Sequence, residues 1–301
     1  MPVRYEIVHT TVYRYRKPVT FGEHRVMFRP RDSHDLRVLA TDLQVNIESI
    51  GRMIQDPHSN SVALVQPIVP ATELRIVASF TIEHAHHNNL EFPLSPAAEF
   101  FPFAYSVAER FDLEHYLRPH YDDPVGRLTG WARQFMRTDG PTRTGELLAA
   151  MNRHIGLTMA YIARDDEGTQ PPLETLSLNS GSCRDFALLM MEALRRLGVA
   201  TRFVSGYLYD PALDPAPDPA ASEGALAVAG AGSTHAWLQA YLPGAGWLPF
   251  DPTNSLAEGY QLIRVGVARD PAQAAPISGS WYGDADAYIG LEATVQVHRV
   301  A

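Results

Sequence analysis

Gly181-Ser182-Cys183-Arg184-Asp185-Phe186-Ala187 is the stretch on which the reading of this chain turns. It opens the segment Gly181–Leu197, where Phe186, Leu189, Met190, Ala193, Leu194 and Leu197 recur at helical spacing. Arg184, Glu192, Arg195 and Arg196 fall among the polar positions of the same helix. Ser182 stands three residues before Asp185, the spacing of a capping box, and Gly198 supplies a stop. Cys183, the only cysteine in 301 residues, therefore falls in the first helical turn. There the helix dipole and the unbonded backbone N–H groups favour a thiolate and can receive a developing oxyanion. Gly181 removes side-chain bulk beside the sulfur, so that substrate backbone can approach. A lone cysteine is more often an inert, small hydrophobe, so position alone does not make a nucleophile. It needs a base.

Two strands downstream offer one. His235–Leu242 and Gly246–Phe250 are apolar runs joined by Pro243-Gly244-Ala245. His235 and Asp251 lie symmetrically about Pro243. A hairpin folded at that centre makes them directly opposed, with Cβ atoms about 5 Å apart. A carboxylate at that distance accepts one imidazole N–H and leaves the other ring nitrogen for a thiol. In that register Trp237 and Trp247 share the His235 face and can shield the pair from water. Taken singly, a strand histidine and an aspartate before a proline are ordinary structural residues. With Cys183 they form a Cys-His-Asp set.

The rest of the chain bounds the setting. Hydrophobic content of 46% and charged content of 20% are those of a soluble globular protein. The net charge is −9, Lys17 is the only lysine, and no arginine-rich stripe forms, so a nucleic-acid surface is not expected. No run approaches the roughly 20 apolar residues of a spanning helix. Met1–Arg16, with Arg4, alternates like a strand and does not read as a signal peptide. The expectation is a cytoplasmic protein with no membrane partner and no disulfide. His84, His86 and His87 cluster, but they lack the further ligands zinc would need, so neither a metal nor a cofactor is expected.

Length predicts about two domains. Tyr5, Ile7, His9, Thr11, Tyr13 and Tyr15 alternate with polar residues, and Leu36–Ile47, Ser61–Val69 and Leu74–Ile82 are further strand candidates. This predicts a β-sandwich over 1–90. Residues 91–140, rich in aromatics and prolines, with a short helix near Val125–Met136, read as a connector. The second domain, 141–301, would hold a helix over Thr142–His154, the cysteine helix, a strand at Thr201–Tyr209, the hairpin and a β tail at Ala293–Val300. Asp210–Gly232, dominated by Ala, Pro, Asp and Gly, is expected to be a mobile insertion.

At this point the motifs carry a resemblance. Gly181 to Ala187, then Gly198 to Arg202 and Ser205-Gly206-Tyr207, then His235-Ala236-Trp237, then Gly246-Trp247 through Phe250-Asp251-Pro252-Thr253 resemble, in order, the bacterial transglutaminase-like family. Tyr5, His9-Thr10, Tyr13, Tyr15, Pro30-Arg31, Asp56 and Asn60 resemble the β-domain that precedes its core. Ala268-Arg269-Asp270 departs from the Gly-Arg-Asp of relatives. The resemblance implies an α+β fold: an N-terminal β-sandwich followed by a papain/transglutaminase-like core, its nucleophile at a helix N-terminus packed on an antiparallel sheet. It also implies roles: Cys183 as nucleophile, His235 as general base and then acid, Asp251 as the group that orients it. The substrate class would be a peptide or protein, cleaved at an amide through an acyl-enzyme. Water as acceptor makes a peptidase or amidase; an amine makes a transglutaminase or an acyltransferase like the arylamine acetyltransferases. A silent peptide-binding module is a third reading, which an intact triad disfavours. Arg184 and Asp185 are expected to cap and pair, and Tyr161, where relatives often carry a tyrosine, to pack in the core.

Overall fold

A computed structural model describes residues 2–85, 94–164, 167–214, 229–257 and 261–300. The first part of the chain is built from β1 (Val3–Phe21), β2 (His24–Val26), β3 (Leu36–Val45), β4 (Ser49–Gln55), β5 (Ser61–Pro67) and β6 (Ala71–His84). Alternation in β1 buries Tyr5, Ile7, His9 and Thr11 and leaves Arg4 and Glu6 exposed. One sheet runs β3-β6-β1, the other β4-β5-β2. Their inner faces meet through Ile7, Val62, Leu64, Leu74 and Ile76, which makes the expected sandwich. β4 was not legible in the sequence. It is an exposed strand at the edge of its sheet, with Gly51 and Arg52 interrupting its apolar residues, and pairing with β5 from Ser49↔Pro67 to Gln55↔Ser61 makes it a strand.

The tail corrects the domain boundary. Tyr288–Val300 pairs antiparallel with β1 from Arg4↔Val300 to Tyr15↔Tyr288, and Ile277–Ser278 extends the second sheet beside β2. Residues 277–300 thus complete the sandwich and do not belong with the catalytic unit assigned to 141–301. The physical reason is the open edge of β1. With β6 on one side only, the 19-residue strand would present a row of unpaired backbone groups. Period-two patterning marks a strand but does not name its partner.

The second layer is a four-stranded antiparallel sheet in the order Gly246–Phe250, Thr234–Leu242, Thr201–Leu208, Leu262–Ala268. The cysteine helix, Cys183–Arg196, lies on one face with Phe186, Leu189, Met190 and Leu194 against Ala236, Leu238, Ala240 and Leu242. Arg127–Arg133, Thr144–Thr158 and Pro172–Leu178 are helices of the same layer. At the other end of the sheet Tyr207, Tyr209, Ile263 and Val265 join the sandwich core, so the two units share apolar contacts. His9 and Tyr207 fasten that junction. Tyr207 donates its hydroxyl proton to the Phe28 carbonyl at 2.7 Å, and His9 Nδ1 meets the same hydroxyl at 3.1 Å. Burial pushes His9 down to about 3, so the ring is neutral there.

The cysteine helix departs from the amphipathic reading. Glu192 and Arg195 are buried and bonded to each other at 2.8 Å. Glu192 also accepts the backbone N–H groups of His120 and Tyr121, and Arg195 donates to the carbonyls of Tyr116, Thr201 and Arg269. The connector therefore covers what the sequence marked as a polar face. The helix ends in a Schellman motif: Gly198 N–H bonds the Arg195 carbonyl at 2.9 Å and Val199 N–H the Leu194 carbonyl at 2.9 Å. Among the described residues, no helix is long and apolar enough to cross a membrane.

Candidate active site

Cys183 is the first residue of its helix and is 8% exposed. Asp185, fully buried, organises the turn around it. Its carboxylate accepts the Ser182 N–H at 2.8 Å, the Ser182 hydroxyl at 2.9 Å, the Gln170 N–H at 2.7 Å and Arg164 Nη1 at 3.3 Å. The expected cap is thus also an anchor for Arg164 and Gln170, which the sequence did not show. Gly181 has a different purpose from the one read in the sequence. A Cβ there would come within 2.9 Å of Asp185 Cβ and 3.3 Å of Phe186, so the glycine lets the chain press against its own helix and does not clear space at the sulfur.

His235 and Asp251 are both fully buried as side chains, and His235 Nε2 donates to Asp251 Oδ2 at 2.8 Å. They are not directly opposed. The register pairs Leu238↔Phe250 and Leu242↔Gly246, which centres the hairpin on Gly244 and offsets His235 from Asp251 by two residues. The loop is the three residues Pro243-Gly244-Ala245, so its midpoint is Gly244, whose φ of +89° a glycine adopts at no steric cost. Because side chains alternate with a period of two, the shift keeps both groups on one face. They meet diagonally.

Two neighbours absent from the sequence reading hold the carboxylate. Thr253 N–H donates to Asp251 Oδ1 at 3.0 Å and Asn254 Nδ2 to Asp251 Oδ2 at 2.9 Å. Burial works against the carboxylate's charge, but the His235 charge and hydrogen bond, with Asn254 and Thr253, hold Asp251 below the usual carboxylate range. Burial likewise works against an imidazolium. The Asp251 charge and hydrogen bond, and those of Cys183, outweigh it and push His235 up to about 10. Asp251 occupies Nε2, so Nδ1 is the nitrogen left for the thiol. Gly230 approaches that same nitrogen. Its φ is +91°, and a Cβ there would lie 2.7 Å from His235 Nδ1. The structure thus joins His235 to Asp251, with Cys183 near enough for its charge to act on the ring.

Residues 129–252 match the transglutaminase-like superfamily, and residues 5–83 match the bacterial transglutaminase-like N-terminal region. Residues 129–252 thus form a transglutaminase-like core. Among relatives of this transglutaminase-like chain is the uncharacterized protein ML0607 of Mycobacterium leprae, 27% identical over 299 residues and covering 99% of each chain. The uncharacterized protein Rv2569c of Mycobacterium tuberculosis is 28% identical over 295 residues, covering 94% of this chain and 89% of its own. The crystal structure of a "putative cysteine protease" from Cytophaga hutchinsonii shares the fold, with a TM-score of 0.69 at 18% identity over 100% of this chain and 92% of that one.

Other residues of the transglutaminase-like core fall less as expected. Tyr161 is 38% exposed and Ile162 51% exposed, so they form a rim and not core. A short parallel pairing, Gly181↔Tyr161, sets that rim beside the cysteine helix. Trp237 is buried with its ring 6.1 Å from that of His235, as a shield requires, but Trp247 packs on Tyr116, Tyr241 and Arg202 instead. Arg184 donates to the Arg164 carbonyl at 2.9 Å, the pairing role expected of it. Residues 215–228 of the Asp210–Gly232 insertion lie outside the described residues. Its described ends are anchored: Asp214 accepts from Tyr209 and Arg299, and Ala229 exchanges hydrogen bonds with Asn254. Ala268-Arg269-Asp270, where the motif departs, holds the cysteine helix through Arg195 and starts the turn at Pro271. His86 and His87 lie outside the described residues, among which no cluster of metal-binding side chains is found.

Proposed function

We propose that this protein cleaves peptide or amide bonds by cysteine catalysis, with Cys183 as nucleophile, His235 as acid–base and Asp251 as the residue that orients the ring. The observation that carries the reading is the buried 2.8 Å His235–Asp251 bond, which leaves Nδ1 for a sulfur at the start of a helix. The transglutaminase-like core supports cysteine-based catalysis in general.

Attack of the Cys183 sulfur on a carboxamide carbon places negative charge on the carbonyl oxygen. The Cys183 N–H, at the first helical position, is a donor for it, while the Asp185 N–H of the same turn is taken by the Ser182 carbonyl at 3.0 Å. His235, protonated at both nitrogens, gives its Nδ1 proton to the departing amine and leaves a thioester on Cys183. The neutral ring then takes a proton from water, hydroxide adds to the thioester, and the carboxylic acid leaves as the thiolate re-forms. Asp251 holds Nε2 throughout and favours the imidazolium by its charge. The Tyr161 and Ile162 rim is where a peptide would rest.

The test is a peptide library incubated with the protein, with and without a primary amine, and read by mass spectrometry. The reading expects cleaved peptides and a transient acyl adduct on Cys183, both lost in Cys183→Ala. Amine adducts in place of acids would assign the chain to acyl transfer. No adduct and no product would favour a silent binding module.

A further inference from the structure

We infer that the junction of sandwich, connector and catalytic sheet is a binding groove for a small oxyanion, a phosphate- or carboxylate-bearing molecule, held by Arg31 and Arg202. The contacts are continuous. Arg31 Nη1 donates to the His58 carbonyl at 2.9 Å and to Asn60 Oδ1 at 2.6 Å. His58 Nδ1 meets the Tyr116 hydroxyl at 3.0 Å, and Tyr116 packs edge-on to Trp247 with ring centres 5.1 Å apart. The Arg202 guanidinium lies 4.2 Å from the centre of that indole, its Nε donating to Gln239 Oε1 at 2.9 Å. Three parts of the chain thus converge on one cationic patch, each supplying a donor.

Charge accounting makes the patch unusual. In a protein of net charge −9, a guanidinium ordinarily finds a carboxylate. The nearby cations do: Arg25 with Asp56 at 3.0 Å, Arg264 with Asp35 at 2.6 Å and Arg195 with Glu192 at 2.8 Å. Among the described residues neither Arg31 nor Arg202 has a carboxylate in ion-pair contact, and their hydrogen-bond partners are neutral oxygens. Asp56, paired with Arg25, favours the Arg31 charge from farther off. Burial lowers the proton affinity of Arg31, aided by the Arg264 charge, and burial, aided by the charges of Arg31 and Arg264, pushes Arg202 down to about 9. Holding two desolvated like charges together is costly unless an anion offsets them. Guanidinium forks with a phenol and an imidazole match the acceptors of an oxyanion. Both arginines are only partly exposed, so the ligand would be small. Arg202 lies four residues along its strand from Gly206, the partner of His235, or about 13 Å. The site is therefore separate from Cys183 and independent of the catalytic reading.

The test uses the full chain. Its unfolding midpoint is measured against inorganic phosphate and, separately, citrate, each compared with sodium chloride at equal ionic strength. A saturable rise beyond chloride, abolished in Arg31→Gln and Arg202→Gln, supports the groove, and the more effective probe tells phosphate from carboxylate. No rise beyond chloride, or a rise that survives both substitutions, overturns it. Should the variants fail to fold, phenylglyoxal modification of the wild-type chain gives the answer by peptide mapping. The effective anion should slow reaction at Arg31 at least about fivefold while leaving the exposed Arg37 and Arg52 unchanged. Equal rates with and without it at Arg31 overturn the proposal.

Discussion

Asp251 stands diagonally across a hairpin from His235, and its Oδ2 accepts the Nε2 proton at 2.8 Å. Everything else at the site supports that bond. Asp251 closes its own loop by exchanging backbone hydrogen bonds with Leu256, 2.8 Å in one direction and 3.1 Å in the other. Asn152, on the Thr144–Thr158 helix, holds the Leu256 carbonyl at 3.0 Å. The acid is thus fixed from the backbone side as well as by its hydrogen bonds.

Asn254 is the clearest test of that support. Asn254→Ala removes a donor from a buried carboxylate, a loss of about 1.5–3 kcal/mol. Urea unfolding should show a reduction of that size, and alkylation of Cys183 at pH 6 should slow several-fold as Asp251 holds the ring less firmly. Unchanged values in both would show that Asn254 does not position the carboxylate.

Gly230 reaches the opposite side of the ring. Gly230→Ala places a methyl group against Nδ1 from a left-handed backbone position. Displacing the base by even about 1 Å should lower Cys183 reactivity roughly 10- to 100-fold while far-UV circular dichroism is unchanged. Wild-type reactivity in this variant would mean that Nδ1 does not face the sulfur.

His9 makes the junction acid-sensitive. Its proton affinity is depressed in the folded state, so below its ordinary pKa of 6.5 the unfolded chain binds the extra proton and stability falls with pH down to about 3. Between pH 6.5 and 4.5 the loss from this group is on the order of 2 kcal/mol. His9→Gln should flatten that part of the stability profile in urea titrations. An unaltered slope would place the acid sensitivity elsewhere.

The His235–Asp251 pair has the opposite sign on the basic side. His235 is raised to about 10 in the folded state, so its contribution is complete below 6.5 and is lost as pH rises through 10. Asp251 is lowered, so its contribution is present above the ordinary carboxylate range and is lost in acid. The stability difference between wild type and His235→Gln should therefore shrink from pH 6.5 to 10. A constant difference would contradict the coupling.

Much of this was legible in the sequence because helices and strands repeat locally. The capped start at Ser182 and the stop at Gly198 bounded the cysteine helix, and turn chemistry at Pro243-Gly244-Ala245 marked the hairpin. What failed was long-range or depended on one residue of register. Symmetry about Pro243 put His235 and Asp251 on one face of the hairpin, but the loop's midpoint is Gly244, which offsets the two by two residues. Burial of Glu192 and Arg195 depends on where the connector lies, and the pairing of Tyr288–Val300 with β1 depends on an unfilled edge. Neither has a periodic signature. Asn254 and Gly230 were missed because each reaches the His235–Asp251 pair from a loop, where spacing carries no pattern.

The central claim is that His235 activates Cys183, and it is tested most directly by the rate of iodoacetamide alkylation at pH 6. Cys183 is the only thiol, so intact mass reports it without ambiguity. The account predicts that His235→Ala slows the reaction at least about tenfold, because the imidazolium beside the sulfur stabilises the reactive thiolate. Equal rates in wild type and variant, both folded, would contradict it.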